Sequence, residues 1–332
     1  MSVVDIVLLW VDGNDPEWQT EYNKHASVKL ENNIVRFRDW DILPYMFRSF
    51  ERFMPWVRKI HFVTWGHLPS WLDINHPKLN IVKHEEYIDN TYLPVFSANP
   101  IEIVLHQIDD LSEKFIYFND DTFIISKIEQ ERFFENGLPR DALVSNALSS
   151  SSGVGHFVLN DLEILNRHFD KRTAFKRHFG KWINLKYGTD NLRTLALLPW
   201  RRFTGFVDWH MPQPFLKSVF DEVWEKEAKV LQQTMQSRFR ACENVNQYLF
   251  RYWQLASGQF VPVSMKDTSY ITLSMDALQS GTVEQMITSG NYAMICLNDG
   301  ETIQSDADFE EAKQLIQHAF EKILPKKSEF ER

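Results

Sequence analysis

Two adjacent carboxylates are the strongest chemical signal in this sequence. Asp120 and Asp121 follow the apolar run at residues 115–118 (FIYF), separated from it only by Asn119. Two carboxylates at the end of a strand repel each other unless a cation or hydrogen-bond donors compensate their charge. Because Mg²⁺ binds one or two carboxylates together with substrate phosphate oxygens, the pair predicts a metal site for a nucleotide diphosphate. The alternative is an acidic turn in which an aspartate caps a helix.

A second candidate site follows the first apolar run of the chain, at residues 10–15 (WVDGND). Trp10, Val11, Asp12 and Asn14 combine an aromatic ring and a carboxylate with a turn that Gly13 permits. This combination is suited to stacking a base and to hydrogen-bonding a uracil or a ribose. The alternative is an Asx turn over a tryptophan of the core.

Two further side chains are candidates for catalysis. His210 lies between aromatic and acidic neighbours in residues 208–212 (DWHMP) and could act as a general base near neutral pH. A lone histidine is more often structural. Arg240, expected at a helix start, could hold a phosphate through its planar guanidinium, and the alternative is a surface salt bridge. The chain has no HExxH, GxSxG or GxxxxGK[ST] pattern, so zinc hydrolases, serine hydrolases and P-loop enzymes lose support.

The candidate residues follow segments that alternate between strand and helix patterns. Helical spacing is present at residues 42–53 and 102–111. Short apolar runs typical of buried strands lie at residues 3–11, 60–64, 79–82 and 115–118. This alternation predicts an α/β fold with a parallel, doubly wound sheet. Ligands of such sheets bind beyond the carboxyl ends of the strands, where residues 10–12 and 119–121 would meet.

The second half of the chain is expected to be largely helical. Long helices are predicted at residues 213–235 and 243–256, the second one amphipathic. The small polar stretch at residues 149–155 (SSSSGVG) is expected to form a flexible loop or lid.

Composition limits the class of protein. The chain has 332 residues, 44% hydrophobic and 24% charged, which is ordinary for a globular protein. A formal net charge of −9 argues against nucleic acid as a partner. Two cysteines provide no disulfide framework, and the chain has neither a basic leader nor an 18-residue apolar run. These features predict a cytoplasmic protein with at most peripheral membrane contact, for which residues 203–209 are the candidate.

Several blocks of the sequence resemble the Stealth family, in the family's own order. The longest is RFRDWDILPYMFRSFERFMPWVRKIHFVTWGHLPSWL at residues 36–72, and the resemblance covers roughly residues 1–260. The others are residues 5–18 (DIVLLWVDGNDPEW), 115–124 (FIYFNDDTFI), 209–212 (WHMP) and 239–253 (FRACENVNQYLFRYW). Members of this family include bacterial capsular polysaccharide phosphotransferases and the animal N-acetylglucosamine-1-phosphotransferase that marks lysosomal enzymes.

The resemblance implies transfer of a sugar 1-phosphate from a UDP-sugar to a glycan hydroxyl, with release of UMP and formation of a phosphodiester. The paired acids predict Mg²⁺ or Mn²⁺ as cofactor, and the family together with the composition suggests a lipid-linked or growing glycan as acceptor. The implied fold is Rossmann-like and glycosyltransferase-A-like, as one catalytic domain over residues 1–332. Within it, residues 1–145 would bind the nucleotide sugar and residues 146–265 the acceptor, whereas residues 266–332 carry no recognisable motif. The alternatives are a metal-dependent glycosyltransferase that releases UDP and an inactive glycan-binding module.

The resemblance also assigns residues by motif. Asp120 and Asp121 match the strand-end acids of the family, His210 the histidine of its third block and Arg240 the arginine of its fourth. Arg36, Arg48, Ser97 and Glu102 match positions of the second block without an assigned role. Two departures stand out: Asn244 replaces a common acid, which leaves the role of Glu243 open, and the third block is reduced mainly to residues 210–212.

Overall fold

A computed structural model describes residues 3–29, 37–149, 154–300 and 302–332. Arg36 and residues 150–153 of the predicted loop lie outside the described residues. The strands are β1 (Asp5–Leu9), β2 (Ile60–Thr64), β3 (Leu79–Lys83), β4 (Lys114–Phe118), β5 (Thr122–Ile124), β6 (Phe134–Glu135), β7 (Leu138–Asp141), β8 (Gln213–Leu216), β9 (Val261–Pro262), β10 (Thr268–Leu273) and β11 (Met294–Asp299). The α-helices are α1 (Pro16–His25), α2 (Leu43–Phe53), α3 (Ala98–Glu102), α4 (Val154–His168), α5 (Lys171–Arg177), α6 (Phe179–Trp182), α7 (Asn191–Leu197), α8 (Lys217–Met235), α9 (Tyr248–Ser257), α10 (Met275–Gln279), α11 (Thr282–Thr288) and α12 (Asp306–Ile323).

The main sheet contains the four strands that the apolar runs predict. Its order is β3-β2-β1-β4-β8, and every pairing among the first four strands is parallel. β8 joins β4 antiparallel at the edge. All five residues of β2 are buried, as expected for strands covered on both faces.

Helices cover both faces of this sheet. Leu8 and Phe118 are paired across β1 and β4, so their side chains share one face, where Phe50 of α2 packs on Phe118 with ring centroids 4.9 Å apart. Phe115 lies three residues earlier and therefore points to the opposite face. There it contacts Phe220 of α8 at 5.6 Å. The predicted class, α/β with a mostly parallel sheet, helices on both faces and a largely helical C-terminal half, is confirmed.

Helix α2 confirms the prediction for residues 42–53. Its apolar side chains at positions 43, 46, 47, 50 and 53 are all buried, and Pro44 occupies the first turn, where a missing N–H costs nothing. By contrast, the predicted helix at residues 102–111 is wrong. α3 ends at Glu102, and a 3₁₀ turn follows at Leu105–Gln107. Gln107, Asp109 and Asp110 are exposed, but the β-branched residues Ile103, Val104 and Ile108 are buried and disfavour the helix.

Two helix boundaries in the second half also differ from prediction. Residues 213–216 form β8 instead of the start of a helix, and Pro214 is tolerated there because β8 is an edge strand. Residues 243–247 precede α9 without being helical. The Asn244 side-chain oxygen accepts from the Ala241 amide at 3.0 Å, and that of Asn246 accepts from the Tyr248 amide at 3.0 Å. Such bonds compete with helix formation, so Arg240 lies in a loop, not at a helix start.

The C-terminal residues without a motif pack against the first half of the chain. β11 pairs with β5, with Cys296 opposite Thr122, and the Leu297 amide donates to the Asp121 carbonyl at 2.9 Å. Arg38 forms an ion pair with Asp299 at 2.7 Å. These contacts brace the loop that carries the paired acids. Separate roles for residues 1–145 and 146–265 stay a prediction.

Candidate active site

A cavity of about 670 Å³ opens beyond the carboxyl ends of β1 and β4. This is the topological switch point of the sheet, because the chain continues from β1 to β2 on one side and reaches β4 on the other. The volume lies within the range of small-molecule sites, about 300–1,000 Å³. Eight of the predicted site residues line it: Trp10, Val11, Ser97, Glu102, Asp120, Asp121, His210 and Arg240.

The turn after β1 has mainly structural partners. The Asp12 carboxylate accepts from the Asn14 amide at 2.8 Å, which is an Asx turn, and neither side chain lines the cavity. The Asp12 amide donates to His67 Nε2 at 2.7 Å. The Trp10 ring stacks on Phe62 with centroids 5.5 Å apart. The Asx turn that the sequence offered as the alternative is therefore present, while Trp10 and Val11 line the cavity.

Arg48 and Glu243 also lie away from the cavity. The Arg48 guanidinium binds both carboxylate oxygens of Glu331, at 2.8 and 2.9 Å, and donates to the Leu324 carbonyl at 2.9 Å. It therefore fastens the C-terminal residues to α2. Glu243 is exposed in the loop that follows Arg240.

His210 and Asp121 form the centre of the site. His210 Nε2 lies 3.1 Å from Asp121 Oδ2, and Nδ1 lies 3.4 Å from the Tyr248 hydroxyl. The His210 backbone has a φ of 51°, in the left-handed region that few non-glycine residues adopt. Burial lowers the pKa of His210, but the hydrogen bond and negative charge of Asp121 outweigh burial, so the pKa is raised above the usual histidine value. The carboxylate thus orients the ring and leaves Nδ1 as the acceptor nitrogen.

Cys296 is the third member of this cluster, and the ligand atoms of the three residues lie within 4.8 Å of one another. Its Sγ lies 3.4 Å from Asp121 Oδ2 and donates to it. Burial and the charge of Asp121 raise the pKa of the Cys296 thiol, so this group is a neutral donor in the metal-free cluster. The three side chains could together hold a metal ion, and a bound metal would deprotonate the thiol. Sequence reasoning missed Cys296 because a lone cysteine has no spacing signal.

The negative charge of Asp121 and the neighbouring acids is only partly balanced by hydrogen bonds and positive charges of the described residues. Asp121 Oδ1 is buried without a hydrogen-bond partner among the described residues. Asp120 opens to the cavity, and its enclosure by protein, followed by the charge of Asp121, raises its pKa well above the usual carboxyl value. Asp39 also lines the cavity, contributes to that shift and was missed by sequence reasoning. An unpaired carboxylate oxygen beside a second carboxylate fits a hard divalent cation.

Glu102 and Arg240 also line the cavity. Glu102 is buried, and its two oxygens accept from the Tyr117 hydroxyl at 2.8 Å and the Gln247 amide at 3.3 Å. Burial raises the pKa of Glu102, although these bonds and the positive charge of Arg240 oppose the rise. Within the described ranges no carboxylate forms an ion pair with Arg240, whose side chain is exposed to the cavity. The surface salt bridge considered from sequence is therefore not seen there.

A buried ion network lies directly behind His210. Arg251, 1% exposed, binds both oxygens of Asp141 at 2.8 and 3.0 Å and Asp208 at 2.6 Å. Tyr252 donates to the second Asp208 oxygen at 2.7 Å. Since Asp208 precedes His210 by two residues, this network fixes the loop that presents the histidine. Its arginine was not singled out in the sequence because it resembles any polar position on a helix.

Comparison with known proteins identifies the family. The chain matches Stealth protein CR1, conserved region 1, over residues 3–24 and Stealth protein CR2, conserved region 2, over residues 36–141. It is also 41% identical to a capsular polysaccharide phosphotransferase, WcwK, of Streptococcus pneumoniae, over 100% of this chain and 99% of that protein. The chain belongs to the Stealth family. It is a phosphotransferase, an enzyme that transfers phosphate-containing groups.

Other Stealth relatives extend over the same length. The receptor polysaccharide phosphotransferase WefC of Streptococcus oralis is 39% identical over 100% of both chains. The exopolysaccharide phosphotransferase cps2G of Lactiplantibacillus plantarum is 36% identical over 99% of this chain and 96% of that protein. Among the described residues, no helix combines the length and apolar character needed to cross a bilayer.

Proposed function

We propose that this Stealth protein transfers a sugar 1-phosphate from a UDP-sugar to a glycan hydroxyl during synthesis of a capsular or other cell-surface polysaccharide. The observation that carries the proposal is the convergence of Asp120 and Asp121, His210 and Arg240 from three distant segments on one cavity. Phosphoryl transfer depends mainly on positioning and on compensation of phosphate charge. An acid pair and a guanidinium that form no ion pair with each other among the described residues, on one cavity, are suited to both tasks.

The cavity offers different chemistry at its two ends. Val11, Phe37 and Phe96 form an apolar wall beyond β1 that suits a nucleoside. Asp120 and Asp121 lie beyond β4, and we assign them to the diphosphate end of the donor. Mg²⁺ or Mn²⁺ held there by Asp120 and Asp121 would neutralise the charge of the phosphate oxygens.

The reaction would displace UMP in a single step. The acceptor oxygen forms a bond to the β-phosphorus, while the bond between that phosphorus and the oxygen bridging to the α-phosphorus breaks, and UMP departs with the electron pair. His210 accepts the hydroxyl proton at Nδ1, the nitrogen that Asp121 leaves free, after the weak contact with Tyr248 is released. Arg240 binds the transferring phosphate through its guanidinium.

Ser97 and Glu102 are assigned a supporting role at this site. The Ser97 hydroxyl caps α3 by accepting from the Asn99 amide at 3.4 Å, so it fixes the helix that carries Glu102. Glu102 in turn provides the negative charge that faces Arg240. We further propose that the enzyme acts in the cytoplasm on a lipid-linked or growing glycan, a location consistent with its two unpaired cysteines.

The nucleotide product tests the proposal. The purified protein is incubated with a panel of UDP-sugars, a short acceptor glycan and Mg²⁺ or Mn²⁺, and the nucleotide is identified by mass spectrometry. We expect UMP and a phosphate-bridged glycan, both lost in Asp121→Asn and kept in Asp109→Asn, a substitution at an exposed acid outside the cavity. UDP together with a plain glycoside would make the enzyme a glycosyltransferase instead.

A further inference from the structure

Residues 171–202 carry a charge opposite to that of the whole chain. They contain nine of the 36 lysines and arginines but only one of the 45 acidic residues, Asp190. The segment therefore has a formal charge of +8 in a chain whose total is −9. It comprises α5, α6, a 3₁₀ helix at Leu185–Asp190, α7 and the five residues that follow, and is called the basic helical unit below.

The basic helical unit is tied together internally. The Lys171 ammonium donates to the Leu197 carbonyl at 2.7 Å, which joins the start of α5 to the end of α7. Trp182 is fully buried and packs edge-on against Phe175 at 5.7 Å. The Asn191 side chain donates to the Asn184 carbonyl at 2.8 Å. The outward side chains are therefore presented on a packed surface and not on a loose loop.

Large apolar side chains are concentrated on the outside of this unit. Of the nine that the described residues expose, five lie within it: Phe179, Leu185, Leu192, Leu195 and Trp200. Leu185 is 98% exposed. α7 buries a polar side chain and exposes apolar ones, which is the opposite of an ordinary surface helix. Thr194 is buried and accepts from the Ser145 amide at 3.0 Å, whereas Leu192 and Leu195, three positions apart, share the exposed side.

The exposed basic side chains of the unit are not neutralised by close ion pairs, although Asp170 at the N-cap of α5 interacts electrostatically with Arg172 and Lys176. Across the described parts of the chain, none of them forms an ion pair with a carboxylate. They are Arg172, Lys176, Arg177, Lys186, Arg193, Arg201 and Arg202. Exposed apolar groups interspersed with unneutralised positive charge are the combination that binds the surface of an anionic bilayer.

We propose that the basic helical unit docks this enzyme on an anionic membrane surface, with Trp200 and the exposed leucines in the headgroup region and the basic side chains on lipid phosphates. A second copy of the chain fits the face poorly, because two such faces would repel each other. A soluble polyanion would use the charges but leave the apolar side chains without a partner. The proposal is independent of the chemistry assigned to the cavity.

This assignment replaces residues 203–209 as the site of membrane contact. Phe203 and Phe206 are 3% and 0% exposed, because they pack against Trp182 in the core. The same segment links the basic helical unit to His210.

Vesicle co-sedimentation of the purified full chain tests the proposal directly. We expect binding to phosphatidylcholine vesicles that contain about 30% phosphatidylglycerol at about 0.15 M salt, and at least about tenfold weaker binding to pure phosphatidylcholine. A charge variant should lose at least about tenfold in binding, whereas a control variant with the same charge change elsewhere should bind like wild type. The charge variant is R172S/K176S/R177S/R201S, and the control, on exposed lysines outside the unit, is K83S/K229S/K326S/K327S.

A second variant separates membrane docking from simple charge attraction. Leu192→Ser combined with Leu195→Ser and Trp200→Ser should keep the melting temperature but weaken vesicle binding several-fold, because it removes apolar area and no charge. Equal vesicle binding by the charge variant and its control would overturn the proposal. Heparin binding that is as tight as vesicle binding and is unaffected by the apolar substitutions would also overturn it. The same holds if the protein does not bind vesicles but forms a dimer that the apolar variant loses.

Discussion

The cavity and the ion network behind it use the same residue types in opposite ways. In the network, Arg251 satisfies both Asp141 and Asp208, and Tyr252 satisfies the remaining Asp208 oxygen. In the cavity, Asp121 Oδ1 has no partner among the described residues, and Arg240 forms no ion pair with a described carboxylate. The two regions are adjacent in space, since the network fixes the loop that ends at His210.

This difference distinguishes charges that hold the structure from charges that await a ligand. A buried ion with all its partners stabilises one arrangement, and removing a partner leaves an unpaired buried charge. An ion left uncompensated at a cavity lowers stability and is retained where a ligand supplies the missing charge. Substitutions in the two regions should therefore separate loss of turnover from loss of folding.

The largest effect on turnover is expected at Asp121. Asp121→Asn removes the carboxylate that orients His210 and, with Asp120, would hold the cation, so turnover should fall by about 10³-fold or more. The free energy of unfolding should change by less than about 1 kcal/mol, because one oxygen has no partner to lose. Steady-state kinetics and urea unfolding measure the two quantities, with Asp109→Asn as the control. A destabilisation as large as that of an Arg251 variant would erase the distinction between the regions.

Arg251→Met should have the converse effect. It leaves Asp141 and Asp208 buried without their cation, so the free energy of unfolding should fall by about 3–5 kcal/mol. Turnover of the remaining folded enzyme should fall less than in Asp121→Asn, because Arg251 acts through the His210 loop. Arg172→Met, at an exposed arginine, is the control and should change stability by no more than about 0.5 kcal/mol. Unchanged stability in Arg251→Met would show that the network does not hold this loop.

His210→Ala should affect the pH dependence as well as the rate. A base must be unprotonated, so wild-type kcat/KM should fall as the pH drops through the pKa of His210, which the charge of Asp121 raises in the metal-free protein. The variant should lose about 10²–10³-fold in kcat, and this acid limb should disappear. His25→Ala, at a surface ion pair with Glu21, should keep it. An unchanged pH profile in His210→Ala would assign the base elsewhere.

The smallest expected effect is on the stability that the ion pair between Asp5 and Arg58 provides, away from the cavity. Burial alone would raise the pKa of Asp5, but hydrogen bonds from Arg58, His61 and the Ser112 amide lower it below the usual value. Because the pKa of Asp5 is lower in the folded than in the unfolded protein, its ionised form stabilises the fold at pH values above the unfolded pKa of about 3.9. This stabilisation is lost as the pH falls below that value. Arg58→Gln should therefore cost about 1–2 kcal/mol at pH 7, with a gap to wild type that narrows below about pH 4. Urea unfolding between pH 3 and 7 measures this, and Lys326→Gln should show no such gap. A gap that stays constant with pH would mean that Arg58 acts through packing and not through the charge of Asp5.

The sequence predicted those parts of the molecule that depend on local pattern. The four parallel strands follow from short apolar runs, because strands covered on both faces consist mostly of apolar residues. The edge shared by residues 10–12 and 119–121 follows from parallel pairing alone. The prediction of a helix at residues 102–111 failed because the apolar residues at 103–105 and 108 fit a packed turn as well as a helix, and their spacing does not distinguish the two.

Sequence analysis found residues of the candidate site only where they form a recognisable motif with adjacent residues. Asp120 and Asp121 are adjacent, and His210 and Arg240 lie in recognisable blocks. Cys296 reaches Asp121 through the pairing of β11 with β5, a contact across about 175 residues that no local pattern encodes. Arg48 and Asp12 match the family's blocks, yet their side chains serve an ion pair and a turn.

The fate of the donor's β-phosphorus is the most direct test of the account. The enzyme is incubated with a UDP-sugar labelled with ³²P at the β-position, an acceptor glycan and Mg²⁺ or Mn²⁺, and glycan and nucleotide are separated. The account predicts that the label moves to the glycan while unlabelled UMP is released. Label retained in UDP, with an unlabelled glycoside as the other product, would contradict it.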